Sequence, residues 1–514
     1  MLNNDQKKNI AFLDCTLRDG GYYTNWDFNT GLLDHYLEKT NKLPIDYIEL
    51  GYRSKVKTEY RGAFYYSPQF LLNYCKNRTD KKLAIILNEK EVNLQDLDEL
   101  LDPCKNIIQM VRLAVAPSNL SRVVDIAENI KSRGFLVSVN LMYASKWEQN
   151  LYLEESFRRL NSVLDYFYVV DSYGSMHPSE VQEVFEKLRG AMDVKLGFHG
   201  HNNIEMALIN SLTALDSGAT IIDGTVCGMG RGAGNLKTEL YLTVLHKKYN
   251  LKVDFDILND LSNSFTNLKK KYGWGTNLPY MVSGAYSLPQ NEVMGQVKKR
   301  FYSLNSIISE VQDVATNKED FKFSAPAKKL VNQFVLVGGG QSPQKFYSFI
   351  REYLKQNPEM GIIHSSSKNL EVFRDLKNFQ IHCIGGMEMD RLKNKLFVEQ
   401  MENRIFIVSQ ERYSALNFAE KFKQNIRFLP KGHYQTNYTL STTAMAMDIV
   451  NYYKAKKIML IGYDGYDQSA TKEQLELFNE NQSIFDSIQV NKLKVSSLTS
   501  TKYDVNTNSI FSLI

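Results

Sequence analysis

The sequence predicts an α/β protein with two domains, a (β/α)8 barrel followed by an open Rossmann-like sheet. A chain of 514 residues is too long for one ordinary core. Through the first half, short apolar and β-branched runs alternate with amphipathic stretches. About eight such units within roughly 240 residues are the count and length of a (β/α)8 barrel. A second alternation begins near residue 330. A doubly wound open sheet is the alternative for the first half, but it rarely needs so many units.

Each barrel strand is indicated by an apolar run that is followed by a helical pattern. The predicted strands begin at Ile10, Asp46, Lys82, Ile107, Phe135, Asp165, Val194 and Ala219. One of the intervening helical patterns, "IEMALINSLTALDSG", ends at Gly218, as a helix C-cap does. We predict the barrel over residues 1–250 and a helical extension with a linker over 251–328.

The second domain is predicted over residues 329–514. Its strands are expected to begin at Gln333, Gly361, Phe379, Arg404, Ile426 and Lys456, with helices between them.

Composition excludes several functional classes. With 43% hydrophobic and 23% charged residues, the chain is typical of a globular protein. A net charge of +5 is small for this length and argues against a nucleic-acid partner. The five cysteines are scattered without a CxxC pair, which favours a reducing compartment. We find no apolar run long enough for a membrane span and no apolar N-terminal leader, so we expect a cytoplasmic location.

Polar residues gather where the barrel strands end. Active sites of such barrels lie at the carboxyl ends of the strands. We expect substrate to be bound there by Glu49, Arg53, Asn140, Asp171, Ser172 and Arg231.

The stretch "GFHGHNN" places His199 and His201 at the end of strand seven. Residues i and i+2 of a strand share a face, so both imidazoles point the same way. Asp19 follows strand one, which neighbours strands seven and eight in a closed barrel. One carboxylate with two imidazoles suits a divalent metal ion. Taken alone, Asp19 is also explained as a turn residue before two glycines.

Arg18 lies directly before Asp19. A fixed guanidinium beside a metal can stabilise the oxygen of a developing enolate. A salt bridge with Glu49 is the structural explanation for the same residue, and both can hold at once.

Three motifs in this order, "DCTLRDGG", "GFHGHNN" and "DGTVCGMGRGAGNLKTE", resemble the metal-dependent lyases and synthases with a TIM barrel. That superfamily includes 4-hydroxy-2-oxovalerate aldolase, hydroxymethylglutaryl-CoA lyase and isopropylmalate synthase, and the aldolase branch is the most similar. The resemblance implies that Asp19, His199 and His201 bind the metal and that Arg18 stabilises a pyruvate enolate. It implies Mn²⁺ as the first choice, with Mg²⁺, Co²⁺ or Zn²⁺ as alternatives. Asn235 matches a further ligand or a neighbour of the metal.

The sequence departs from this pattern at the catalytic base. The aldolases continue the first motif to a histidine base, where this chain has Tyr22. An ordinary tyrosine, with a pKa near 10, is a poor base at neutral pH, but it can act as an acid or hydrogen-bond to a substrate hydroxyl. The glutamate of the synthases is replaced by Gly21. A Schiff-base mechanism is disfavoured, since strand six carries no lysine.

The resemblance implies an aldolase or lyase that forms or cleaves a carbon–carbon bond through the enolate of a 2-oxo acid, with an aldehyde as the second substrate. We expect a homodimer. A Claisen-type transferase that uses an acyl-CoA, and a catalytically silent barrel that serves as a scaffold, are the alternatives.

The second domain contains a glycine-rich loop, "VLVGGGQSPQKF", between a strand and a helix. Backbone amides in such a loop can bind phosphate. The domain faintly resembles motility accessory factors and sialyltransferase-like proteins, which implies a nucleotide sugar or sugar phosphate near Gly338, Gly339, Gly340, Ser342 and Asp464. The pairing of domains suggests a sugar-related substrate in surface-polysaccharide biosynthesis. A plain tight turn explains the glycines equally well, and the missing acidic residue after the next strand disfavours NAD.

Overall fold

The computed structural model describes residues 10–148, 155–288, 325–326, 331–385, 388–393, 395–408, 420–429, 432–438, 441–467, 470, 472–490 and 493–514. The chain divides into two compact units, Met1–Met294 and Gly295–Ile514. Most of the predicted linker lies outside the described residues. No helix within the described ranges has the length and apolar character needed to cross a membrane.

Eight parallel strands close the barrel of the first unit, which confirms the predicted fold class. The strands are β1 Ala11–Asp14, β2 Tyr47–Tyr52, β3 Lys82–Asn88, β4 Met110–Val115, β5 Leu136–Leu141, β6 Tyr166–Asp171, β7 Lys195–Gly200 and β8 Ala219–Gly224. Closure comes from β1, which pairs with β2 on one side and with β8 on the other. The first and last strands of the barrel are thereby neighbours, so the residues that follow them meet at the same mouth.

Helices follow the strands and cover the barrel. They are α1 Thr16–Asp19, α2 Gly21–Thr24, α3 Thr30–Asn41, α4 Ala63–Tyr66, α5 Gln69–Lys76, α6 Leu97–Leu101, α7 Val123–Ser132, α8 Glu155–Val163, α9 Pro178–Ala191, α10 Ala207–Asp216, α11 Thr238–Tyr249, α12 Phe255–Tyr272 and α13 Leu278–Ala285. The last two belong to the segment predicted as a helical extension, and they lie within the first unit.

The barrel interior is packed at its lower part and polar at its mouth. Leu13, Tyr47, Met110 and Ile221 are among the buried side chains that fill it as one cluster. A larger cluster lies between the strands and the helices. All eight strands are parallel, so the charged residues at their carboxyl ends lie together at one face of the barrel, above this apolar interior.

The second unit contains one parallel sheet of eight strands. Their bounds are β9 Gln333–Val337, β10 Gly361–His364, β11 Gln380–Ile384, β12 Arg404–Val408, β13 Ile426–Phe428, β14 Lys457–Ile461, β15 Lys494–Ser497 and β16 Asn506–Thr507. The order is β13-β12-β11-β10-β9-β14-β15-β16, so the strand order reverses between β9 and β14. The described helices are α14 Ser342–Lys345, α15 Tyr347–Gln356, α16 Leu370–Phe373, α17 Glu388–Lys393, α18 His433–Asn437, α19 Thr442–Tyr453 and α20 Lys472–Val490.

Candidate metal centre

Asp19 ends the short helix α1 directly above β1, where its carboxylate is buried. Its Oδ2 atom lies 3.5 Å from His199 Nε2. The side-chain amide of Asn235 donates to the same oxygen at 2.6 Å. Residues that are far apart in the sequence thus meet at one carboxylate, as the closed barrel requires.

His199 and His201 lie at the end of β7 and just beyond it, with ring centroids 5.1 Å apart. His199 Nδ1 is 2.9 Å from Asp223 Oδ2 on the neighbouring β8. A carboxylate at Nδ1 holds that proton, so Nε2 is the nitrogen left to ligate. This is the arrangement in which metal-binding histidines are commonly oriented.

The buried polar atoms beside this group that lack a hydrogen-bond partner among the described residues include His201 Nδ1 and Asn235 Oδ1. Leaving such atoms unpaired is costly unless a ligand satisfies them. The donor set of a carboxylate, two imidazoles and an amide oxygen therefore fits a divalent cation.

Cys15, His199 and Asp223 also bring their ligand atoms within 4.8 Å of one another. Burial, and then the charge of Asp19, raises the pKa of the Cys15 thiol, so this sulfur stays protonated and is a poor ligand. Asp223 is already bonded to His199 and to Arg112. The Asp19 set needs no thiol ligand, so it is the better candidate.

A network of buried ion pairs surrounds the candidate ligands. Arg18 contacts Asp19 and donates from Nε to Glu49 at 2.7 Å. Arg112 bonds to the other oxygen of Glu49 at 3.0 Å and to Asp223 at 2.5 Å. Since Glu49, Arg112 and Asp223 are at most 1% exposed, these pairs fix the positions of Arg18 and His199.

The electrostatics of the mouth keep the candidate ligands in the states that bind a cation. Burial alone would raise the pKa of Asp19, but the adjacent positive charge of Arg18 outweighs it and the pKa falls to about 2. Burial also lowers the pKa of His201 well below its ordinary value. The carboxylate is thus ionised and the His201 imidazole neutral at neutral pH.

Tyr22, on α2, lies at the rim of this group. Its hydroxyl is 3.0 Å from the Tyr52 hydroxyl at the end of β2. The guanidinium of Arg231 lies over the Tyr22 ring, 5.3 Å from its centroid. The departure from the aldolase pattern therefore occurs at a position that faces the mouth.

Four other residues predicted to bind substrate make structural contacts. Arg53 donates to the backbone oxygens of Leu100 and Tyr66. The Asn140 amide oxygen accepts from Arg112, and the Ser172 hydroxyl accepts from a backbone amide. Asp171 caps the turn after β6 by accepting from two backbone amides. These contacts occupy their polar groups, and substrate binding by them stays a prediction.

The structure also brings Asp223, Arg112 and Tyr52 into the site, three residues to which the sequence alone assigns no role. Their position at or near the strand ends is the feature of the sequence by which they could have been found. What each side chain contacts depends on closure of the barrel, since Arg112 and Asp223 are 111 residues apart.

The glycine-rich loop of the second unit is occupied by a side chain of the same unit. The Oδ2 atom of Asp464 accepts from the backbone amides of Gln341 and Ser342 at 2.6 and 2.9 Å. The Gly340 amide bonds to the Gly462 carbonyl. A carboxylate at these amides repels an anion, which argues against the predicted phosphate site.

Comparison with known proteins agrees with this geometry. A family model described as HMGL-like matches residues 106–264. An oxaloacetate decarboxylase of Mycobacterium tuberculosis is 29% identical over 60% of this chain and 93% of its own length. A 4-hydroxy-2-oxovalerate aldolase of Geobacillus thermodenitrificans is 28% identical over 49% of this chain and 73% of its own length.

A solved structure provides the stronger match. It is the N-terminal domain of a Bacteroides vulgatus protein provisionally described as an aldolase, 48% identical, with a TM-score of 0.56. The match covers 58% of this chain and 99% of that domain. The barrel unit therefore has a relative of the same extent.

Proposed function

Because the chain belongs to the HMGL-like family of TIM-barrel lyases, we propose that its first unit is a divalent-metal-dependent carbon–carbon lyase acting through the enolate of a 2-oxo acid. The observation that carries the proposal is the convergence of Asp19, His199, His201 and Asn235 at the barrel mouth, with Arg18 beside them.

Asp19, His199 and His201 would hold the metal, with Asn235 Oδ1 as a further donor. A divalent cation at this position supplies Lewis acidity toward the carboxylate and carbonyl oxygens of a 2-oxo acid. Asp223 accepts a hydrogen bond from the Nδ1–H group of His199, which leaves the lone pair of Nε2 available to the metal.

Arg18 stabilises negative charge on the substrate oxygen. Its Nε and one terminal nitrogen are engaged by Glu49 and Asp19, which fix the plane of the guanidinium. The other terminal nitrogen has no hydrogen bond to the described residues, and we assign it to the enolate oxygen. A donor fixed before the reaction stabilises charge without reorganising during it.

Tyr22 serves as an acid in the direction of synthesis. When the enolate attacks an aldehyde, the new alkoxide takes the Tyr22 hydroxyl proton. Tyr52, whose hydroxyl is 3.0 Å away, is placed to return a proton to Tyr22. In the direction of cleavage the transfer runs in reverse, and the Tyr22 phenolate accepts the proton of the substrate hydroxyl as the carbon–carbon bond breaks. A phenol suits the first task better than the second.

Decarboxylation of a 2-oxo acid with a carboxylate at C3 is a second candidate reaction. It forms the same enolate by releasing CO₂, and no base is needed for a hydroxyl proton. The replacement of the family's histidine base by Tyr22 favours it, and one relative is named an oxaloacetate decarboxylase.

The identity of the metal as Mn²⁺ and a sugar-related aldehyde stay part of the proposal. Dimer formation is likewise a prediction, which light scattering of the purified protein tests. A nucleotide sugar at the second unit is the least supported element, since Asp464 occupies the loop amides.

The test is exchange of the methyl protons of pyruvate into deuterated water, followed by NMR with and without added Mn²⁺. Metal-dependent exchange is expected, because enolate formation requires only the metal, Arg18 and a proton acceptor. Condensation with aldehydes and release of CO₂ from oxaloacetate then separate the two reactions. Bound metal with none of these activities would favour the acyl-CoA transferase, and absence of metal binding would favour the scaffold.

A further inference from the structure

We propose that Arg231 forms a subsite for a second anionic group, so that the substrate is a 2-oxo acid carrying a terminal carboxylate or phosphate. This inference rests on the proposed function, because it concerns the same mouth.

Arg18 and Arg112 are both bound to carboxylates. Glu49 bridges them, and Asp19 and Asp223 complete their pairs. Their charges are therefore balanced within the protein. Neither is free to bind a full negative charge at the outer end of a substrate.

Arg231 differs from both. Within the described part of the chain it forms no ion pair, and its buried Nε has no hydrogen-bond partner. No carboxylate of the described residues lies within 4.0 Å of its guanidinium nitrogens, and its one aromatic contact, with Tyr22, is uncharged. An unsatisfied guanidinium in a partly buried site is the group that a carboxylate or phosphate would pair with.

The position of Arg231 relates this charge to the reacting end of the substrate. Its guanidinium lies over the Tyr22 ring, 5.3 Å from the ring centroid. Arg231 belongs to the loop that also carries Asn235, whose amide bonds to Asp19. A substrate bound at Asp19 therefore extends past Tyr22 toward Arg231.

The contact with Tyr22 helps to hold the guanidinium at this place. A cation over an aromatic face is attracted to the ring, and the guanidinium keeps N–H donors that a carboxylate or phosphate can accept from. Arg61 offers a matched control, since it also lies near aromatic rings of this unit, 5.8 Å from the Trp26 centroid. Unlike Arg231, Arg61 is paired with Glu59 at 2.8 Å.

Binding of unreactive 2-hydroxy acids to the metal-loaded full chain tests the subsite by calorimetry. Malate and 2-hydroxybutyrate differ only by a terminal carboxylate, and 3-phosphoglycerate and glycerate differ only by a phosphate. We expect the anionic member of at least one pair to bind about 10- to 100-fold more tightly, the value of a charge-assisted hydrogen bond. The preferred pair identifies the anion.

The variants assign that preference to Arg231. Arg231→Gln is expected to bring the affinity ratio of the preferred pair close to one, Arg231→Lys to keep part of it, and Arg61→Gln to keep it all. Equal affinities within both pairs in the wild type, or a ratio unchanged by Arg231→Gln in folded protein, would overturn the proposal. Pyruvate exchange in the wild type reports the enolate chemistry separately, so the subsite and the proposed function fail independently.

Discussion

At the scale of single residues, the site depends on a carboxylate and an imidazole whose positions are set by other charges. Asp19→Asn and His199→Ala each remove one candidate ligand, so we expect both variants to lose metal. Asp223→Asn leaves the ligands in place but removes the negative charge that orients the His199 ring. We expect metal affinity to fall about 10- to 100-fold. Metal content after dialysis, measured by mass spectrometry, checks all three.

His246→Ala is the matched control for this series, since His246 bonds to the backbone oxygen of Leu251 outside the mouth. It should retain the wild-type metal content. Full metal retention in folded Asp19→Asn or His199→Ala would disprove the ligand set.

Tyr22 decides how well the barrel cleaves a hydroxylated substrate. Tyr22→His places an imidazole where the aldolase pattern has its base, and an imidazole with a pKa near 6.5 is largely neutral at pH 7.5. We expect cleavage of 4-hydroxy-2-oxo acids to rise by about tenfold or more, with a new limb near pH 6–7 in the rate profile. Steady-state rates between pH 5.5 and 8.5 measure this.

Tyr22→Phe is the control, because it removes the hydroxyl without supplying a base. It should slow condensation with aldehydes. If Tyr22→His leaves cleavage unchanged while pyruvate exchange persists, Tyr22 does not occupy the position of the base.

At the scale of elements, the loop after β8 depends on a glycine. Gly234 has a φ of 81°, and a Cβ there would lie 2.0 Å from the Gly228 carbonyl oxygen. Gly134 has a φ of 90° with no atom within 4 Å of the corresponding position. Both variants place alanine at a positive φ, which costs about 1–2 kcal/mol. Only Gly234→Ala adds a clash with backbone.

We therefore expect the free energy of unfolding to fall by about 3 kcal/mol or more in Gly234→Ala, and by about 1–2 kcal/mol in Gly134→Ala. Metal affinity should fall only in Gly234→Ala, because the displaced segment carries Asn235. Urea unfolding followed by tryptophan fluorescence gives the first quantity and metal titration the second. Equal losses of stability in the two variants would contradict the argument.

The sequence predicted the barrel strands well, because each buried strand is an apolar run that ends at a polar residue. It missed β15, Lys494–Ser497, and β16, Asn506–Thr507. These strands are short and polar, with the sequences "KVSS" and "NT", so neither has the apolar run by which a strand is recognised. β15 forms by pairing with β14, and β16 forms by pairing with β15. A single sequence does not contain that information.

For the site, too, the sequence predicted individual residues but not the contacts that depend on strand pairing. Asp19, His199 and His201 were predicted from spacing and motif, and the barrel brings them together. The bond between Asp223 and His199 joins two strands, so it required the register of β7 and β8. The Asp464 bond to the glycine-rich loop likewise joins β9 and β14, which are adjacent only in the sheet.

At the scale of the whole molecule, we expect the second unit to lose more stability in acid than the first, because burial lowers the pKa of two of its histidines, against that of His201 in the first unit. In the second unit, His364 and His382 stack between adjacent strands, with centroids 4.3 Å apart. Both are at most 1% exposed. Neither nitrogen of His382 has a hydrogen-bond partner among the described residues, and His364 bonds to Gln380 at 3.0 Å. A proton on either ring would bury an uncompensated charge.

Burial lowers the pKa of His364 from 6.5 to about 3, and it lowers the pKa of His382 well below its ordinary value. The nearby Arg404 acts in the same direction on both. Below pH 6.5 the unfolded chain therefore binds two protons that the folded unit does not. Stability is fully present above pH 6.5 and decreases as the pH falls, by about 2 kcal/mol per histidine at pH 5.

The three tryptophans, Trp26, Trp147 and Trp274, all lie in the first unit and report its unfolding. Circular dichroism reports both units. On lowering the pH from 7.5 to 5, we expect part of the urea transition seen by circular dichroism to move to lower urea, without an equal shift in tryptophan fluorescence.

His382→Phe removes one titrating ring and keeps an aromatic contact with Phe406, whose centroid is 5.3 Å away. It should halve the proton uptake of the early transition from about two to about one. An acid shift of the same size in His382→Phe would show that other groups cause the sensitivity.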